Sequence, residues 1–307
     1  MEIFLQQLVN GVVLGSIYAL VALGYTLVYG IMGLINFAHG DVVMIGAMVT
    51  LTVARLLSNS GLPGPLIVLL GLLAAVPTCM ATGYLIERIA YRPLRNAPRL
   101  APLITAIGVS ILLQNLAMMI WGREYLSFPQ IIPSHAFSFF GASISTTQSI
   151  IVIGSGVMMV CLSFLVKKTK LGNAMRATSQ NPEVATLMGV EVNTVISLTF
   201  ILGSALAAIA GMMVSAYYGI AHYDMGFVLG LKAFTAAVLG GIGNIEGAVL
   251  GGLLLGIIES MGAGYLGTLT GGVMGSNYQD VFAFFVLILV LVLRPSGLLG
   301  ERVGERP

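Results

Sequence analysis

The chain has 307 residues, of which 57% are apolar and only 8% charged, and its net charge is +2. A soluble domain carries roughly a quarter charged residues, so a chain this poor in charge lacks the polar surface to face water and requires lipid as its main solvent. The small net charge offers no electrostatic basis for binding nucleic acid, and Cys79 and Cys161, far apart in apolar runs, read as buried small hydrophobes with no metal spacing and no disulfide implied.

The opening residues Met1-Glu2-Ile3-Phe4 lack the basic region of a cleavable signal, so the first apolar run reads as a retained membrane anchor. A spanning helix needs about 20 mostly apolar residues. In chain order the candidate windows are 8–31, 35–57, 66–87, 101–121, 149–166, 193–216, 227–243, 247–266 and 279–293. The expectation is an all-α, polytopic membrane protein of about eight to ten membrane segments. The windows at 35–57 and 227–243 carry His39, Asp41 or Lys232 among many glycines, and each reads as a clean span or as a broken, re-entrant helix.

Orientation follows from the basic residues. Eleven of the fourteen lysines and arginines fall in three groups: Arg88, Arg92, Arg95 and Arg99; Lys167, Lys168, Lys170 and Arg176; and Arg294, Arg302 and Arg306. The positive-inside rule places all three in the cytoplasm. Two clean spans separate the first two groups, as this requires, and an even number must separate the second from the third. Three full spans before Arg88 put Met1 outside, whereas one re-entrant segment there puts it inside. The stretch Trp121–Gln148 then faces the exterior, with its prolines and phenylalanine pairs suited to the bilayer surface or to a docked partner.

Glycines recur every fourth residue at Gly243, Gly247 and Gly251, again at Gly252 and Gly256, and at Gly11 and Gly15. In a bilayer such spacing lets helices approach closely, and helices packed this way can also slide or rock. A weak internal echo links Ile35–Gly40 with Ile242–Gly247, each ahead of a glycine-spaced helix.

Catalytic signals are sparse. There is no G-x-x-x-x-G-K-[ST] loop, so the chain does not hydrolyse ATP by that route. No cofactor motif is evident, and His39, His135 and His222 have no metal-ligand spacing. Ionisable residues inside membrane windows cost about 2.5–3.5 kcal/mol each on insertion scales and usually face a cavity or a partner. His39, Asp41, Lys232, Glu246 and Glu259 are of this kind. His39 and Asp41, two apart, do not share a helix face, although a broken helix can bring both to a cavity. So sparse a set argues against a proton relay.

The most informative segment is cytoplasmic, at 167–192. Ser179 or Asn181 can cap a short helix, with Pro182 in its first turn, Glu183 at the positive end of the dipole and Gly189 ending it in a left-handed conformation. Val184, Leu187 and Met188 then share a face, which wants either the membrane surface or a groove on another protein.

The sequence from Gly172 through Arg176-Ala177 to Asn181-Pro182-Glu183 and Leu187-Met188-Gly189-Val190 resembles the coupling loop of importer permeases for branched-chain amino acids. The resemblance runs in order along nearly the whole chain. It includes Gly24–Asp41, Glu87–Arg95, Ile107–Asn115, Lys232–Gly243 and Arg294–Gly300, and it is closest to the H-type subunit of the high-affinity leucine, isoleucine and valine system. Local departures are Asn181-Pro182, where the family often has acidic residues, and the external loop at 122–148.

This resemblance implies a single transmembrane permease domain over 1–307, with the coupling loop at 167–192 inside it, in the bacterial cytoplasmic (inner) membrane. It implies a transport subunit rather than an enzyme. Its partners would be a second related permease, two cytoplasmic ATP-binding subunits that hydrolyse ATP, and an extracytoplasmic solute-binding protein that captures the amino acid. ATPase coupling would fall to Gly172, Arg176, Ala177, Asn181, Glu183, Val184, Leu187, Met188 and Gly189. The candidate translocation path is Asn36, His39, Asp41, Asn115, Lys232, Asn244 and Glu259. Urea, short amides or other amino acids are alternative cargoes for the same architecture, and a stand-alone secondary transporter or channel is the remaining alternative.

Overall fold

The computed structural model describes residues 2–95, 97–98, 100–129, 136–139, 141–271, 278–294 and 296–300. The helices are α1 (Glu2–Met32), α2 (His39–Leu57), α3 (Gly64–Leu85), α4 (Leu100–Trp121), α5 (Thr146–Lys168), α6 (Lys170–Gln180), α7 (Pro182–Leu187), α8 (Val192–Tyr218), α9 (Met225–Gly240), α10 (Ile245–Leu269) and α11 (Gln279–Leu293). Among the described residues seven of these are long and apolar enough to cross a membrane, and α9 and α11 are shorter apolar helices. That makes nine apolar segments, one for each window read from the sequence. His135, Arg99, Arg302 and Arg306 lie outside the described residues.

Hydrogen bonds define the two ends of the bundle. At one end Arg95, just beyond α3, donates to Asn193 at the start of α8, and Lys167 at the end of α5 pairs with Glu246 at the start of α10. Asn244 there donates to the Leu299 carbonyl beyond α11, at 3.0 Å. All the described residues of the three basic groups gather here, which makes this end cytoplasmic. At the other end Arg55 donates to the Ser127 carbonyl, Gln6 to the Ser143 carbonyl, and His222 contacts the Arg123 carbonyl. The helices alternate between these ends, so α1 begins on the exterior face and four segments, α8 to α11, separate the second basic group from the third.

The exterior face also departs from a purely helical reading. β1 (Leu126–Ser127) pairs antiparallel with β4 (Ile220–Ala221), with Leu126 opposite Ala221. β2 (Ala136–Phe139) and β3 (Ala142–Ser145) form a hairpin with Ala136 opposite Ser145. Ser145 then opens α5 with a capping box, its hydroxyl accepting from the Gln148 N–H while the Gln148 side chain accepts from Ser145 N–H.

Helix α1 is the hub. It is buried on nearly all sides by α8, α9, α10 and α5, whereas α3, α4, α5 and α11 turn long apolar side chains outward. The glycine rows explain how the hub is held. A Cβ on Gly256 would lie 2.2 Å from the Gly15 nitrogen, and one on Gly252 2.5 Å from the Ala19 Cα, so this row packs on α1. The neighbouring row faces the other way: a Cβ on Gly251 would lie 2.0 Å from the Ala236 carbonyl oxygen, and one on Gly247 2.4 Å from that of Gly240, both on α9. The two rows thus wedge α10 between α1 and α9. Gly243 belongs to neither; it sits in the turn before α10 with φ +95°.

Of the two cysteines, Cys79 is buried and its thiol donates to the Val42 carbonyl at 3.4 Å. Cys161 is exposed on α5, contrary to the expectation of burial, because the α5 face that carries it meets no neighbouring helix.

Gly256→Leu is expected to lower the thermal stability of the purified protein by about 1–3 kcal/mol or prevent its assembly, since backbone rather than a movable side chain blocks the new group. Gly108→Leu, at a helical glycine with open space around it, is expected to leave the unfolding temperature unchanged.

Candidate functional site

Chemistry-bearing side chains concentrate at three levels. The deepest is an ion-pair cluster joining α1, α9, α10 and α11. Lys232 Nζ donates to Glu259 Oε1 at 2.8 Å and lies 2.7 Å from Asp280 Oδ1 and 3.4 Å from the Tyr18 hydroxyl, which itself donates to Glu259 Oε2 at 2.9 Å. At 1.5 Å per residue, Lys232 stands about 12 Å and Glu259 about 21 Å from the cytoplasmic ends of their helices. The cluster therefore sits near the middle of a hydrocarbon layer about 30 Å thick.

Above it a cavity of about 260 Å³ opens toward the exterior face. Tyr125, His222 and Asp224 stand at its mouth, Val214, Val228 and Leu229 line its walls, and Tyr18 and Lys232 reach its floor. The His222 ring is fixed by stacking on Tyr125 at 4.1 Å, by contact with Asp224, and through Nε2 to the Arg123 carbonyl at 3.0 Å. Few polar groups in an otherwise apolar concavity is the usual make-up of a small-molecule site.

The second level is the break between α1 and α2. Gly33, at φ +63°, ends α1, and the chain folds back so that α2 starts inside the protein. His39 packs edge-on against Tyr25 at 4.8 Å and fills the space beside Gly24, where a Cβ would lie 2.2 Å from its Nε2. Asp41, fully buried, turns instead toward α4, its Oδ1 accepting from Gln114 Nε2 at 3.0 Å. Neither His39 Nε2 nor Asp41 Oδ2 has a hydrogen-bond partner among the described residues. The start of α2 meets that of α9, a Cβ on Gly40 lying 2.2 Å from the Gly226 carbonyl oxygen. Two broken helices of opposite direction thus meet within the bundle, an arrangement common around transporter sites.

The third level is cytoplasmic. Thr169 caps α6, accepting from Gly172 N–H at 3.1 Å. Gly172 packs so tightly under the end of α5 that a Cβ would lie 2.1 Å from the Val166 carbonyl oxygen, and Arg176 donates to that same carbonyl at 2.7 Å. Asn181, not Ser179, caps α7, its side-chain oxygen accepting from the N–H groups of Glu183 and Val184. Gly189 at φ +83° closes it, with Gly189 N–H donating to the Thr186 carbonyl and Val190 N–H to that of Ala185. Ala185 is buried, while Leu187 and Met188 are 87% and 80% exposed. Nearby, Glu87 is buried in a π-helical turn, Ile86–Tyr91, where it pairs with Arg95 and accepts from the Ser197 hydroxyl at 2.6 Å. Partial burial lowers the Arg95 pKa, against the stabilising charge of Glu87.

A family model described as "Branched-chain amino acid transport system / permease component" matches residues 7–291. This chain belongs to that family. The permease is 46% identical over 308 residues to the high-affinity branched-chain amino acid transport system permease protein BraD of Pseudomonas aeruginosa, covering 99% of this chain and 98% of that protein. It is 45% identical over 309 residues to the LivH permease protein of the corresponding system in Escherichia coli K12, covering 99% and 97%. A probable LivH permease of Methanocaldococcus jannaschii is 30% identical over 294 residues, covering 95% and 91%. The resemblance read from the motifs is thereby borne out, and with it a multi-pass permease of the cytoplasmic membrane.

The structure brings together only part of the path read from the sequence. Lys232 and Glu259 join directly, and Asn36 accepts from the Tyr91 hydroxyl at 3.2 Å beside the α1–α2 break. His39 and Asp41 share that break but face different helices. Asn115 lies on the exposed side of α4 and donates to its own helix at the Ile111 carbonyl, while Gln114 beside it points inward. Asn244 caps α10 at the cytoplasmic end, accepting from Gly247 N–H at 3.1 Å. Glu246 is exposed there, paired with Lys167.

Tyr18, Gln114, Asp280 and the Glu87–Arg95 pair went unread. Asp280 had a signal, being a carboxylate at the edge of an otherwise uncharged window. Gln114 had none, since α4 is apolar all round and carries no phase.

Gln114→Leu is expected to destabilise the permease by about 1–3 kcal/mol by removing the Gln114 donor from the buried Asp41 carboxyl. Asn115→Leu is expected to stay within about 0.5 kcal/mol. Thermal unfolding of the two purified variants makes the comparison.

Proposed function

We propose that this chain is the membrane-spanning permease subunit of an ATP-driven importer for leucine, isoleucine and valine. It would form the translocation path with a second related permease, receive substrate from an extracytoplasmic binding protein and take its energy from two cytoplasmic ATPase subunits. The names of its relatives support the substrate. The observation that carries the coupling role is the short α7 helix, capped at both ends and holding Leu187 and Met188 out into water. Exposed apolar side chains on a rigid two-turn helix are suited to a groove on a soluble partner.

Side chains connect the start of α8, which follows α7 in the chain, to the break in α1–α2. Asn193, two residues into α8, accepts from Arg95; Arg95 pairs with Glu87; and the π-helical turn that holds Glu87 ends at Tyr91, whose hydroxyl donates to Asn36. In this reading, movement of α7 by the ATPases shifts the start of α8, and this chain passes the shift to the start of α2. Single π-helical turns of this kind are frequent at functional sites. The path itself runs from the exterior cavity past Lys232 and Glu259, toward the level of His39 and Asn36.

Uptake of labelled leucine, compared in cells with and without this chain and with the proton gradient collapsed but ATP maintained, is expected to persist and to be competed by valine and isoleucine. Uptake that disappears with the gradient would sink the ATP-driven reading. Leu187→Asp is expected to abolish co-purification of the ATPase subunits while the permease stays folded. Tyr91→Phe is expected to keep that association and slow uptake several-fold; an unchanged rate would remove Tyr91 from the coupling.

A further inference from the structure

A branched-chain amino acid carries its carboxylate and ammonium into whatever path it takes, and the bilayer middle is the costliest place for either. We propose that Lys232 receives the carboxylate of the transported amino acid, and that Asp280 holds this position until substrate displaces it. This assignment rests on the importer reading above.

The stoichiometry of the cluster is the first argument. One ammonium faces two carboxylates, Glu259 at 2.8 Å and Asp280 at 2.7 Å. A structural ion pair needs only one, and the second leaves an excess negative charge at mid-depth, where unpaired charge is penalised. The two carboxylates are not held alike. The Glu259 side chain is 1% exposed and bonded through both oxygens, to Lys232 and Tyr18. The Asp280 side chain is 39% exposed, and Lys232 is its one ion-pair partner among the described residues. Asp280 also sits in the first turn of α11, where the helix dipole favours a carboxylate whether or not Lys232 is present. It is the group that can leave.

Access is the second argument. Lys232 lines the floor of the exterior cavity, whereas neither Glu259 nor Asp280 does, so a ligand in the cavity meets the ammonium before either of those carboxylates. The cavity's 260 Å³ falls just below the range of about 300–1,000 Å³ typical of drug-sized ligands, and Val214, Val228 and Leu229 present apolar surface to an aliphatic side chain. Replacing Asp280 by the substrate's own carboxylate keeps Lys232 paired throughout, and the released Asp280 carboxylate stays at the positive end of the α11 dipole.

The test uses the permease assembled with its ATPase and permease partners in nanodiscs, without the solute-binding protein. L-leucine and leucinamide, which lacks the carboxylate, are titrated by saturation-transfer NMR. Wild type is expected to bind leucine at least tenfold more tightly than leucinamide. Asp280→Asn, which weakens the competing group, is expected to tighten leucine binding several-fold. Lys232→Met is expected to erase the preference for leucine, and Lys232→Arg to retain it.

Leucine binding that is undetectable, or that Asp280→Asn leaves unchanged or weakens, overturns the assignment, as does a preference that survives in Lys232→Met. Should Lys232→Met fail to fold, the Asp280→Asn and Lys232→Arg results still decide. Leucine uptake by the wild-type assembly with its binding protein, alongside such negative results, would refute the Lys232 subsite and leave the importer reading standing. Absence of that uptake would overturn both.

Discussion

Backbone-to-backbone approach between helices is the constraint on which the rest of this structure depends. Within a bilayer, apolar side chains gain nothing by leaving lipid for protein, so helices associate through close van der Waals contact where side chains are smallest. Here α10 meets α1 at Gly11, Gly15, Ala19, Gly252 and Gly256, and meets α9 at Gly240, Gly247 and Gly251. Ordinary interaxial distances of 8–10 Å reflect intervening side chains, and removing those brings three helices close enough for Tyr18, Lys232 and Glu259 to bond directly. The polar cluster thus bridges helices that the glycine rows hold together. In turn, groups that bond to each other in this way make the burial of charge tolerable.

The number and order of apolar segments, the cytoplasmic placement of the basic groups and the caps of α7 were all legible in the sequence, because each rests on a local signal. A run of about 20 apolar residues, a cluster of arginines, or Asn-Pro-Glu closing on Met-Gly needs no tertiary context. Rotational phase was not legible. A helix that is apolar on every face does not announce which side is buried, so Asn115 read as well as Gln114, although only the latter points inward. Helix α6 falls within the segment named as a coupling loop at 167–192; its Thr169 cap and the fit of Gly172 under Val166 make it a helix. The strands on the exterior face are two to four residues long and owe their existence to pairing partners distant in the chain, as with Leu126 and Ala221.

The buried polar groups divide by how completely they are satisfied. Glu87 is fixed through both oxygens, to Arg95 and Ser197, and Glu259 likewise, to Lys232 and Tyr18. These two carboxylates join helices far apart in sequence, as structural pairs do. At the α1–α2 break the opposite holds: Asp41 keeps one oxygen unpartnered, and so does His39 one nitrogen. A buried polar atom without a partner costs about 1–3 kcal/mol, and two such atoms fall where the main chain is already interrupted. Such local weakness is expected of elements that move.

This division also suggests which parts of the bundle stay together. Helices α1 and α10 share a tight seam with backbone in contact over several turns, Gly11 against Ile257, Gly15 against Leu253 and Gly252 against Ala19. Helix α11 has a single buried residue, Ala283, among its described side chains, and turns most of its length outward. Its attachment near the middle of the membrane includes the Asp280–Lys232 pair, an electrostatic contact that another carboxylate can replace. The α1–α10 seam therefore has the character of a fixed frame, with α9 held to it by the second glycine row at its cytoplasmic half. Motion that opens the floor of the cavity is then cheapest at α11.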